Sequence, residues 1–545
     1  MFSNWSLIPN AANINFEHYT IRAIADGSKV FARSSRGGDV YYSFLNGTTY
    51  TNWLPVPNGA GVVFLGSDDL PFALDYTADG TTLCAQNGVQ NVTDTNTDTN
   101  IYYSIYNGTT YSSWISVPNP NNFKFVNRNV NASFTYWLST DGTKIIIRGF
   151  GSIDYEPPIV DEAPPAANTS TTAALTDLQN AALTAQQKAE LAAQQKTIFN
   201  VTKNRKAEMY YSLWNGKTYT EWTIIPNTSA QIFEFPTVSM DNTKIIAYST
   251  TSDEVYYSLY ANKAYTNFVK IPNTLPIIFD FNYFENMSAS NDLTKVYMFD
   301  ASKNVYYSVF NEYTGEYQSW VAVPNPAMIT TSQYTPRIPS SFNGNRIYTK
   351  DTDNYIYYSA YNGTSYSHWT KIPSVPGIDM RARELSLSFV DDGSKAYLAT
   401  LNNSFYYSLY NNGMYNDWRL VANPNNIEFY LDEYVNPVPN VLNSSDGTTL
   451  FAQSRDSALN SYYATFNGSS YTNWTHIPNA EEGIVFIAGY LYNSPDGTKV
   501  FNKSTDGNFY VSGHDLIIKT QRIPTMVMAT MTRGTPCVYI QNTFS

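Results

Sequence analysis

The chain has 545 residues, of which 16% are aromatic and only 14% charged, compared with roughly 25% charged residues in an average soluble protein. Its net charge is −12, and it has no long basic run of the kind that binds phosphates, so nucleic acid and anionic membranes are excluded as expected partners. The first residues lack a basic segment followed by an apolar one, and no 18 apolar residues stand together, so we predict neither a signal peptide nor membrane insertion.

A sequence motif recurs along almost the whole chain. Its first copy runs from Val40 to Asn58 and reads VYYSFLNGTTYTNWLPVPN. Seven further copies begin at Ile101, Met209, Val255, Val305, Ile356, Phe405 and Ser461. A ninth begins at Phe509 and stops after Ser512, and its missing half stands near the other terminus, from Asn4 to Asn10. A repeat that is divided between the two ends of a chain indicates a closed ring.

Each repeat predicts four short strands. An apolar first strand is followed by a turn and a β-branched second strand; the Tyr-Tyr-Ser segment is the third strand, and an Asn-Gly turn leads to a fourth that ends at Pro-Asn. Asp-Gly and its variants adopt the positive φ angles of a tight reversal. They begin at Asp26, Asp79, Asp141, Asp241, Asp292, Asn343, Asp392, Asp446 and Asp496. Four antiparallel strands in about 50 residues are typical of a β-propeller blade.

The count of aromatic residues in the fourth strands predicts how the ring closes. Eight occur at Trp53, Trp114, Trp222, Phe268, Trp320, Trp369, Trp418 and Trp474, and Trp5 is the ninth. We therefore predict an all-β chain that forms one nine-bladed propeller, in which Trp5 and Pro9 complete the blade of Phe509 and Tyr510. Three alternatives stay open: residues 517–524 as the closing strand, eight blades with an extra sheet, or two smaller rings.

Two segments depart from the repeat and set the predicted boundaries. Residues 1–154 hold the closing strand, the first two blades and the start of the third; residues 155–208 are a Pro/Ala-rich linker and an insertion; residues 209–518 continue blades three to nine; residues 519–545 are a non-repeating tail. The composition of residues 172–197 predicts a helix. This helix or the tail is the expected site of self-association or of binding to a protein partner.

Residues that carry chemistry do not form a recognisable set. The four histidines (His18, His368, His476 and His514) are not spaced for zinc, and we interpret them as surface residues. Cys84 is predicted to be buried, and with Cys537 it makes no disulfide framework. The adjacent carboxylates Asp391–Asp392 and Glu481–Glu482 face opposite ways on a strand and cannot flank one bond. The inner ends of the first strands read as mainly apolar. The sequence therefore predicts no catalytic residues, no metal and no cofactor.

Two short patterns resemble known propellers. The segment from Ser494 to Lys499 (SPDGTK) resembles the turn signature of TolB-like and lactonase-like propellers. The succession of Tyr-Tyr-Ser, Asn-Gly-Thr and Trp is similar to the blades of fucose-binding propeller lectins. The basic residues with which those lectins hold their sugar have no counterparts by position here, so the resemblance implies a fold and assigns no ligand-binding residues.

These observations favour a non-enzymatic binding or structural propeller. The regular Trp is interpreted as packing between blades. We expect display on an extracellular surface or assembly into a virion or appendage, with the cytoplasm as the alternative location, and glycans are the expected ligand class. The alternative function is that of a propeller hydrolase or a lactonase-like enzyme.

Overall fold

A computed structural model describes most of the repeat region of the chain. The described residues are 1–17, 21–35, 38–59, 61–62, 64, 74–87, 100–121, 123, 136–150, 207–275, 277–279, 287–330, 340–353, 355–375, 378, 386–400, 403–430, 441–479 and 484–514. The insertion with its predicted helix at 172–197, the tail at 519–545, His18, Cys537 and the Glu481–Glu482 pair lie outside them. No helix among the described residues has the length and the apolar character needed to cross a membrane.

The described residues form nine antiparallel sheets, which we number as blades one to nine. First strands, in blades one to five and seven to nine, are Arg22–Ala23, Leu74–Tyr76, Tyr136–Leu138, Phe233–Val238, Met287–Ala289, Ser386–Phe389, Val441–Asn443 and Tyr492–Asn493. In blade six this place is held by a single bridge between Ser340 and Ile347. The second strands of the nine blades are Lys29–Arg33, Thr82–Gln86, Lys144–Phe150, Lys244–Ser249, Lys295–Phe299, Arg346–Lys350, Lys395–Ala399, Thr449–Gln453 and Lys499–Lys503.

The third and fourth strands complete each blade. The third strands are Val40–Asn46, Ile101–Ile105, Ala207–Leu213, Glu254–Ala261, Val305–Asn311, Ile356–Ala360, Phe405–Asn411, Ser461–Thr465 and Phe509–Gly513. The fourth strands are Leu54–Pro55, Ile115–Ser116, Thr223–Ile224, Val269–Lys270, Val321–Ala322, Thr370–Lys371, Arg419–Leu420, Thr475–His476 and, for blade nine, Ser6–Leu7. Short hairpin strands extend four of the third strands, at Thr49–Tyr50, Ala264–Tyr265, Glu316–Tyr317 and Met414–Tyr415. The predicted nine-bladed β-propeller is confirmed.

The ninth blade joins the two ends of the repeat region. Ser6 pairs with Val511 and Leu7 with Tyr510 in an antiparallel register. Trp5 is fully buried, and its main-chain amide donates a hydrogen bond of 3.0 Å to the carbonyl of Pro478 in blade eight. The fourth strand of the last blade therefore comes from the N-terminal part of the chain.

Main-chain hydrogen bonds connect neighbouring blades beside their Asp-Gly turns. In blades two to eight, the residue before the turn donates its amide to the carbonyl of the equivalent residue in the next blade. These pairs are Ala78 to Thr140, Thr140 to Met240, Met240 to Asn291, Asn291 to Phe342, Phe342 to Asp391, Asp391 to Ser445 and Ser445 to Pro495. Main-chain hydrogen bonds thus contribute to the spacing of the blades, in addition to side-chain packing.

The turn chemistry predicted from the sequence is present in all nine blades. The residue after the turn Asp or Asn has a positive φ at Gly27, Gly80, Gly142, Asn242, Leu293, Gly344, Gly393, Gly447 and Gly497. At Gly447, where φ is +62°, an added Cβ would overlap the Tyr397 hydroxyl and Val390. Glycine is needed at this position both for its backbone angle and for the close approach of blade seven.

Candidate ligand-binding pocket

The polar residues that recur in every repeat are mostly used within the scaffold. In blade eight, the Asp446 carboxylate accepts hydrogen bonds from the Ser444 hydroxyl at 2.7 Å and from the Thr448 amide and hydroxyl, each at 2.9 Å. The Tyr471 hydroxyl donates to the carbonyl of Gly447 in the same turn. These contacts recur in the sister blades, so the Ser, Asp, Thr and Tyr of the motif stabilise turns.

The Asn of each Pro-Asn segment also has a structural role. Asn423 Nδ2 donates to the carbonyl of Ile427, and the Ile427 amide donates to Asn423 Oδ1, both at 2.9 Å. The same reciprocal pair with the fourth residue onward is made by Asn10, Asn58, Asn119, Asn227 and Asn325. It shapes what we call the leading loop, the segment between the fourth strand of one blade and the first strand of the next.

The regular Trp packs as the sequence analysis predicts. Trp5, Trp53, Trp114, Trp320 and Trp474 are buried. Each lies against a Phe of its own leading loop with ring centroids 4.7–5.0 Å apart. Burial of this kind leaves no ring face for a ligand to stack on. The Trp positions therefore do not provide a repeated carbohydrate site.

Polar groups outside these structural contacts converge in blade eight. A pocket of about 640 Å³ is lined by Asn425, Asn426, Ile427, Glu428, Ser454, Arg455, Asp456, Tyr462 and His476. Its wall is the leading loop, its other side is the turn between the second and third strands, and its base is the outer half of the sheet. The volume lies within the range of about 300–1,000 Å³ that is usual for small-molecule sites.

The backbone sets the shape of this pocket. Phe429 forms a bridge with Ser454, and the Arg455 amide donates to the carbonyl of Glu428 at 2.6 Å. These two contacts place the leading loop alongside the turn. They bring Glu428 and Arg455 to one rim although 27 positions separate them in the sequence.

Asp456 forms the centre of the turn. Its Oδ1 accepts hydrogen bonds from the amides of Ala458 at 3.1 Å and Asn460 at 3.3 Å, and its Oδ2 accepts one from Asn460 Nδ2 at 3.1 Å. Burial alone would raise the pKa of Asp456, but hydrogen bonds from Ser454, Asn460 and Ala458 lower the pKa below its ordinary value. Asp456 is therefore a carboxylate at neutral pH.

Tyr462 and His476 provide the aromatic base. They are direct partners across the third and fourth strands, with ring centroids 5.3 Å apart and planes inclined by 54°. His476 Nε2 lies 3.2 Å from Asn460 Oδ1. Partial burial of the imidazole lowers the pKa of His476, although the Asp456 carboxylate acts in the opposite direction. The imidazole is therefore neutral at pH 7 and can both donate and accept a hydrogen bond.

Blade eight differs from its sisters at all three of the rim and base positions. The amide-to-carbonyl contact of Arg455 and Glu428 has five described equivalents, namely Ser35 to Asn15, Thr250 to Ile232, Ala301 to Ile278, Thr352 to Thr330 and Thr505 to Val485. None of these ten residues is charged. The place of His476 is taken elsewhere by Pro55, Ser116, Ile224, Lys270, Ala322, Lys371, Leu420 and Leu7. The packing of the repeat therefore does not explain why Glu428, Arg455 and His476 occur at these positions.

The residues singled out from the sequence do not meet in one place. His368 and His476 are exposed in blades six and eight, and His514 lies against Phe2 with ring centroids 5.3 Å apart. Cys84 is buried and unpaired with another cysteine, as predicted, and burial raises the pKa of its thiol. Asp391 and Asp392 belong to the turn of blade seven. Among the described residues, no group of three His, Cys, Asp or Glu side chains is placed to hold a metal ion.

The first strands are mainly apolar, with polar exceptions at Arg22, Asp75, Ser288 and Asn443. Asp75 is the most unusual of them, because burial raises its pKa to about 7 although the Leu138 amide donates to its carboxylate at 3.4 Å. A single carboxylate within an otherwise apolar stretch gives no pattern, so the sequence offered no signal for it.

Comparisons with known proteins address the fold. No protein-family model matches the chain, and no curated protein matches it. Three of the solved structures that resemble this chain illustrate the range. A periplasmic gluconolactonase of Pseudomonas aeruginosa is 13% identical, with 75% of this chain and 98% of that one covered and a TM-score of 0.30. An oligogalacturonate lyase of Vibrio parahaemolyticus is 12% identical, with coverage of 73% and 94% and a TM-score of 0.34. The β-propeller domain of Cps50 (Swd1) of Myceliophteria thermophila is 10% identical, with coverage of 57% and 90% and a TM-score of 0.26. Likenesses of this size carry no information about activity.

Proposed function

We propose that this protein is a non-enzymatic β-propeller that binds a ligand, and that the ligand is a glycan. The observation that carries the proposal is the convergence of Glu428, Arg455 and His476 in blade eight, where the sister blades have uncharged or unrelated residues. Elsewhere the polar side chains of the repeat are mostly occupied by structural hydrogen bonds. A concave site that departs from the repeat is where a binding function is expected.

The chemistry of the pocket suits a sugar. The rings of Tyr462 and His476 offer an apolar surface for the C–H face of a pyranose, and the partly polar rings keep that surface wettable. Carboxylates accept hydrogen bonds from hydroxyl groups, and the guanidinium of Arg455 donates them in a fixed fork. Such a combination can accept hydrogen bonds from one hydroxyl group and donate hydrogen bonds to a neighbouring one.

An enzymatic alternative rests on one observation in the first strand of blade two. Asp75, with a pKa of about 7, could exchange a proton at neutral pH as a general acid or base. A propeller hydrolase or lactonase would use it there. Against this alternative, no second titratable group stands in a described arrangement with Asp75 that completes a nucleophile–base pair; its neighbours Cys84 and Tyr136 are buried thiol and phenol groups whose pKa values are raised.

Assembly is a separate part of the proposal. We propose display on an extracellular surface or in a virion or appendage, with self-association or a protein partner engaged through residues 172–197 or the tail at 519–545. The low content of charged residues and the Asn, Thr and Tyr-rich composition support this role. Size determination of the full chain, compared with a variant that lacks 155–206, tests it: loss of an oligomer in the variant supports the role of the insertion.

The decisive experiment compares binding with catalysis in the same preparation. A glycan array is expected to give selective binding, while hydrolysis of lactone and glycoside substrates stays at the level of buffer. Elemental analysis is expected to find no stoichiometric divalent metal. Turnover that disappears in Asp75→Asn, together with an empty glycan array, would replace the proposed function with the enzymatic one.

A further inference from the structure

In blades two, six and eight, the hairpin between the third and fourth strands has Asn-Gly followed by Thr or Ser at its tip, beginning at Asn107, Asn362 and Asn467. We propose that these three asparagines convert spontaneously to aspartate or isoaspartate, each through attack by the main-chain nitrogen of the glycine that follows it. The reaction needs water and no enzyme, metal or cofactor. This modification goes beyond the proposed glycan binding and does not depend on any ligand.

The chemistry is an internal displacement at the side-chain amide. The glycine nitrogen loses its proton and forms a bond to Cγ of the asparagine, the bond from Cγ to Nδ2 breaks, and Nδ2 leaves as ammonia. The product is a cyclic succinimide. Water then adds to either of its carbonyls, and ring opening gives aspartate or isoaspartate. Glycine favours this reaction because it has no Cβ to hinder the approach of its nitrogen.

The attacking nitrogens are accessible in all three hairpins. The asparagine, the glycine and the residue after it are exposed in each. No described residue accepts a hydrogen bond from the amides of Gly108, Gly363 or Gly468. Apart from its chain neighbours, a Cβ built on any of these glycines would meet no described atom within 4 Å. The backbone therefore has room to close the ring.

The amide oxygen that becomes negative during the attack already has three hydrogen-bond donors. Asn107 Oδ1 accepts hydrogen bonds from the Thr109 amide at 2.9 Å, the Thr109 hydroxyl at 2.8 Å and the Thr110 amide at 2.9 Å. Asn362 and Asn467 have the same three donors, at 2.8–3.0 Å. Donors at these distances stabilise an oxyanion. The leaving nitrogen Nδ2 of each asparagine donates to none of the residues that the structure describes.

A second Asn-Gly in blade six is protected by the fold. Asn343 and Gly344 form the turn before the second strand, and the Gly344 amide donates to the Ser341 carbonyl at 2.8 Å. Gly344 is buried, and a Cβ added there would overlap the Tyr297 hydroxyl. Because its hydrogen is engaged and its surroundings are filled, this nitrogen cannot swing toward Cγ. Blade six thus contains a protected Asn-Gly and, at Asn362, a reactive one.

The hairpins of the other blades each lack a part of the arrangement. In blade three, Asn215 Oδ1 accepts from the Lys217 and Thr218 amides, each at 2.9 Å, but Lys217 has no hydroxyl. In blades four and five the asparagine is not followed by glycine, and blade nine takes its fourth strand from the N-terminal part. In blades one and seven, no described residue donates to the side-chain oxygen of Asn46 or Asn412. We therefore expect slower conversion at Asn215, Asn46 and Asn412.

The aspartate product fits the hairpin. In the Asp-Gly-Thr turn of blade two, Asp79 Oδ1 accepts from the Thr81 amide at 2.9 Å and from the Thr81 hydroxyl at 2.8 Å. An aspartate in place of Asn107 would have the same kinds of donor, and a charged acceptor strengthens such bonds. Each conversion also adds one negative charge to a chain whose net charge is −12. Since the blades share one strand order, these charges collect at one end of the ring.

The test is peptide mapping by mass spectrometry of the full folded chain during incubation at pH 7.5 in water enriched in heavy oxygen. Peptides with Asn107, Asn362 and Asn467 are expected to become acids that carry one labelled oxygen, and an isoaspartyl methyltransferase assay counts the isoaspartate fraction. The peptide with Asn343 is expected to remain an amide over the same period. Incubation in guanidinium chloride is expected to remove this difference, because unfolding frees the Gly344 amide.

One variant tests the role of the donors. Thr109→Val removes the hydroxyl donor from Asn107 alone and is expected to slow its conversion about fivefold, which is the rate equivalent of one hydrogen bond. The rates at Asn362 and Asn467 in the same molecules are the internal control and are expected to stay unchanged. Asn107→Asp provides the chromatographic reference for the charged product. Thermal unfolding verifies that both variants are folded.

Three results would overturn the inference. One is conversion of Asn343 in the folded chain as fast as that of the three hairpin asparagines. Another is hairpins that remain amides while the unfolded chain converts. The third is an unchanged rate at Asn107 in Thr109→Val, because the donors would then have no part in the reaction. The proposed function is tested separately by the glycan array and stands or falls independently of these results.

Discussion

The main-chain amide of Asp496 in blade nine donates a hydrogen bond of 3.1 Å to the carbonyl of Ala25 in blade one. In blades two to eight the residue before the turn Asp or Asn makes this contact, but in blade nine that residue is Pro495, which has no amide hydrogen. The donor therefore moves one residue along the chain. The same type of contact that joins blades two to nine in sequence order also connects blade nine to blade one.

Ring closure makes Trp5 important for stability. Trp5→Ala is expected to lower the free energy of unfolding by about 3–5 kcal/mol, as for other large-to-small core replacements, because the indole is fully buried against Phe486. Trp5→Phe is the matched control, since Phe268 occupies this position in blade four, and it is expected to cost clearly less. Urea denaturation measures both. Equal stability of Trp5→Ala and the parent would show that the N-terminal strand is not part of the core.

Two glycines of blade eight allow the stability cost of backbone strain to be measured apart from the cost of steric overlap. Gly447 and Gly468 both have positive φ angles, of +62° and +97°, but only at Gly447 would a Cβ meet other atoms. Both alanine variants lose about 1 kcal/mol from the backbone angle. Gly447→Ala is expected to lose in addition about 1–3 kcal/mol from overpacking against Tyr397 and Val390. Thermal unfolding measures both variants. Equal stability of Gly447→Ala and Gly468→Ala would contradict the close contact between blades seven and eight.

Asp75 gives the protein a pH-dependent stability. Its pKa is about 7 in the folded chain and 3.8 as the ordinary value, so the folded state binds more protons between these values. The free energy of unfolding therefore falls as pH rises from about 4 to 7, and the loss is complete above pH 7. Asp75→Asn is expected to be more stable than the parent at pH 8 by a few kcal/mol, with the difference vanishing near pH 4.

Asp446→Asn is the control for this titration, because hydrogen bonds from Thr448 and Ser444 lower the pKa of Asp446 in spite of its burial. Its carboxylate stabilises the fold at neutral pH, so the substitution is expected to reduce stability there. Urea unfolding at pH 4, 6 and 8 measures both variants. An Asp75→Asn variant that is less stable than the parent at pH 8 contradicts the account of Asp75.

The fold could be predicted largely because the repeat marks where each strand begins and ends. Asp-Gly turns need positive φ angles, Pro-Asn ends a ladder, and the fourth-strand aromatic recurs once in each blade, so the split ninth copy pointed to Ser6 and Leu7. The same regularity explained the aromatics as packing. Even the variants Asn242 and Leu293 keep the turn geometry of their glycine counterparts.

The pocket could not be predicted from the same signals. Glu428 and Arg455 meet through a main-chain contact between a leading loop and a turn. Because the leading loops vary in length, the sequence does not show which loop residue lies opposite which turn residue. His476 was recognised as exposed but not as part of a group. A position-by-position comparison of the blades would have found the coincidence of Glu428, Arg455 and His476, because all three replace uncharged or unrelated residues of the repeat.

A cysteine crosslink tests the closed nine-bladed ring most directly. Ser6 and Val511 are direct antiparallel partners, and such partners have Cα atoms about 5.5 Å apart, within disulfide range. In a Cys537→Ser background, the pair Ser6→Cys and Val511→Cys is expected to form a disulfide rapidly in the folded protein and to raise its melting temperature. The pair Val511→Cys and Ile518→Cys serves as the comparison for closure by residues 517–524. Efficient crosslinking of that second pair, with the first pair remaining reduced, would contradict the ring described here.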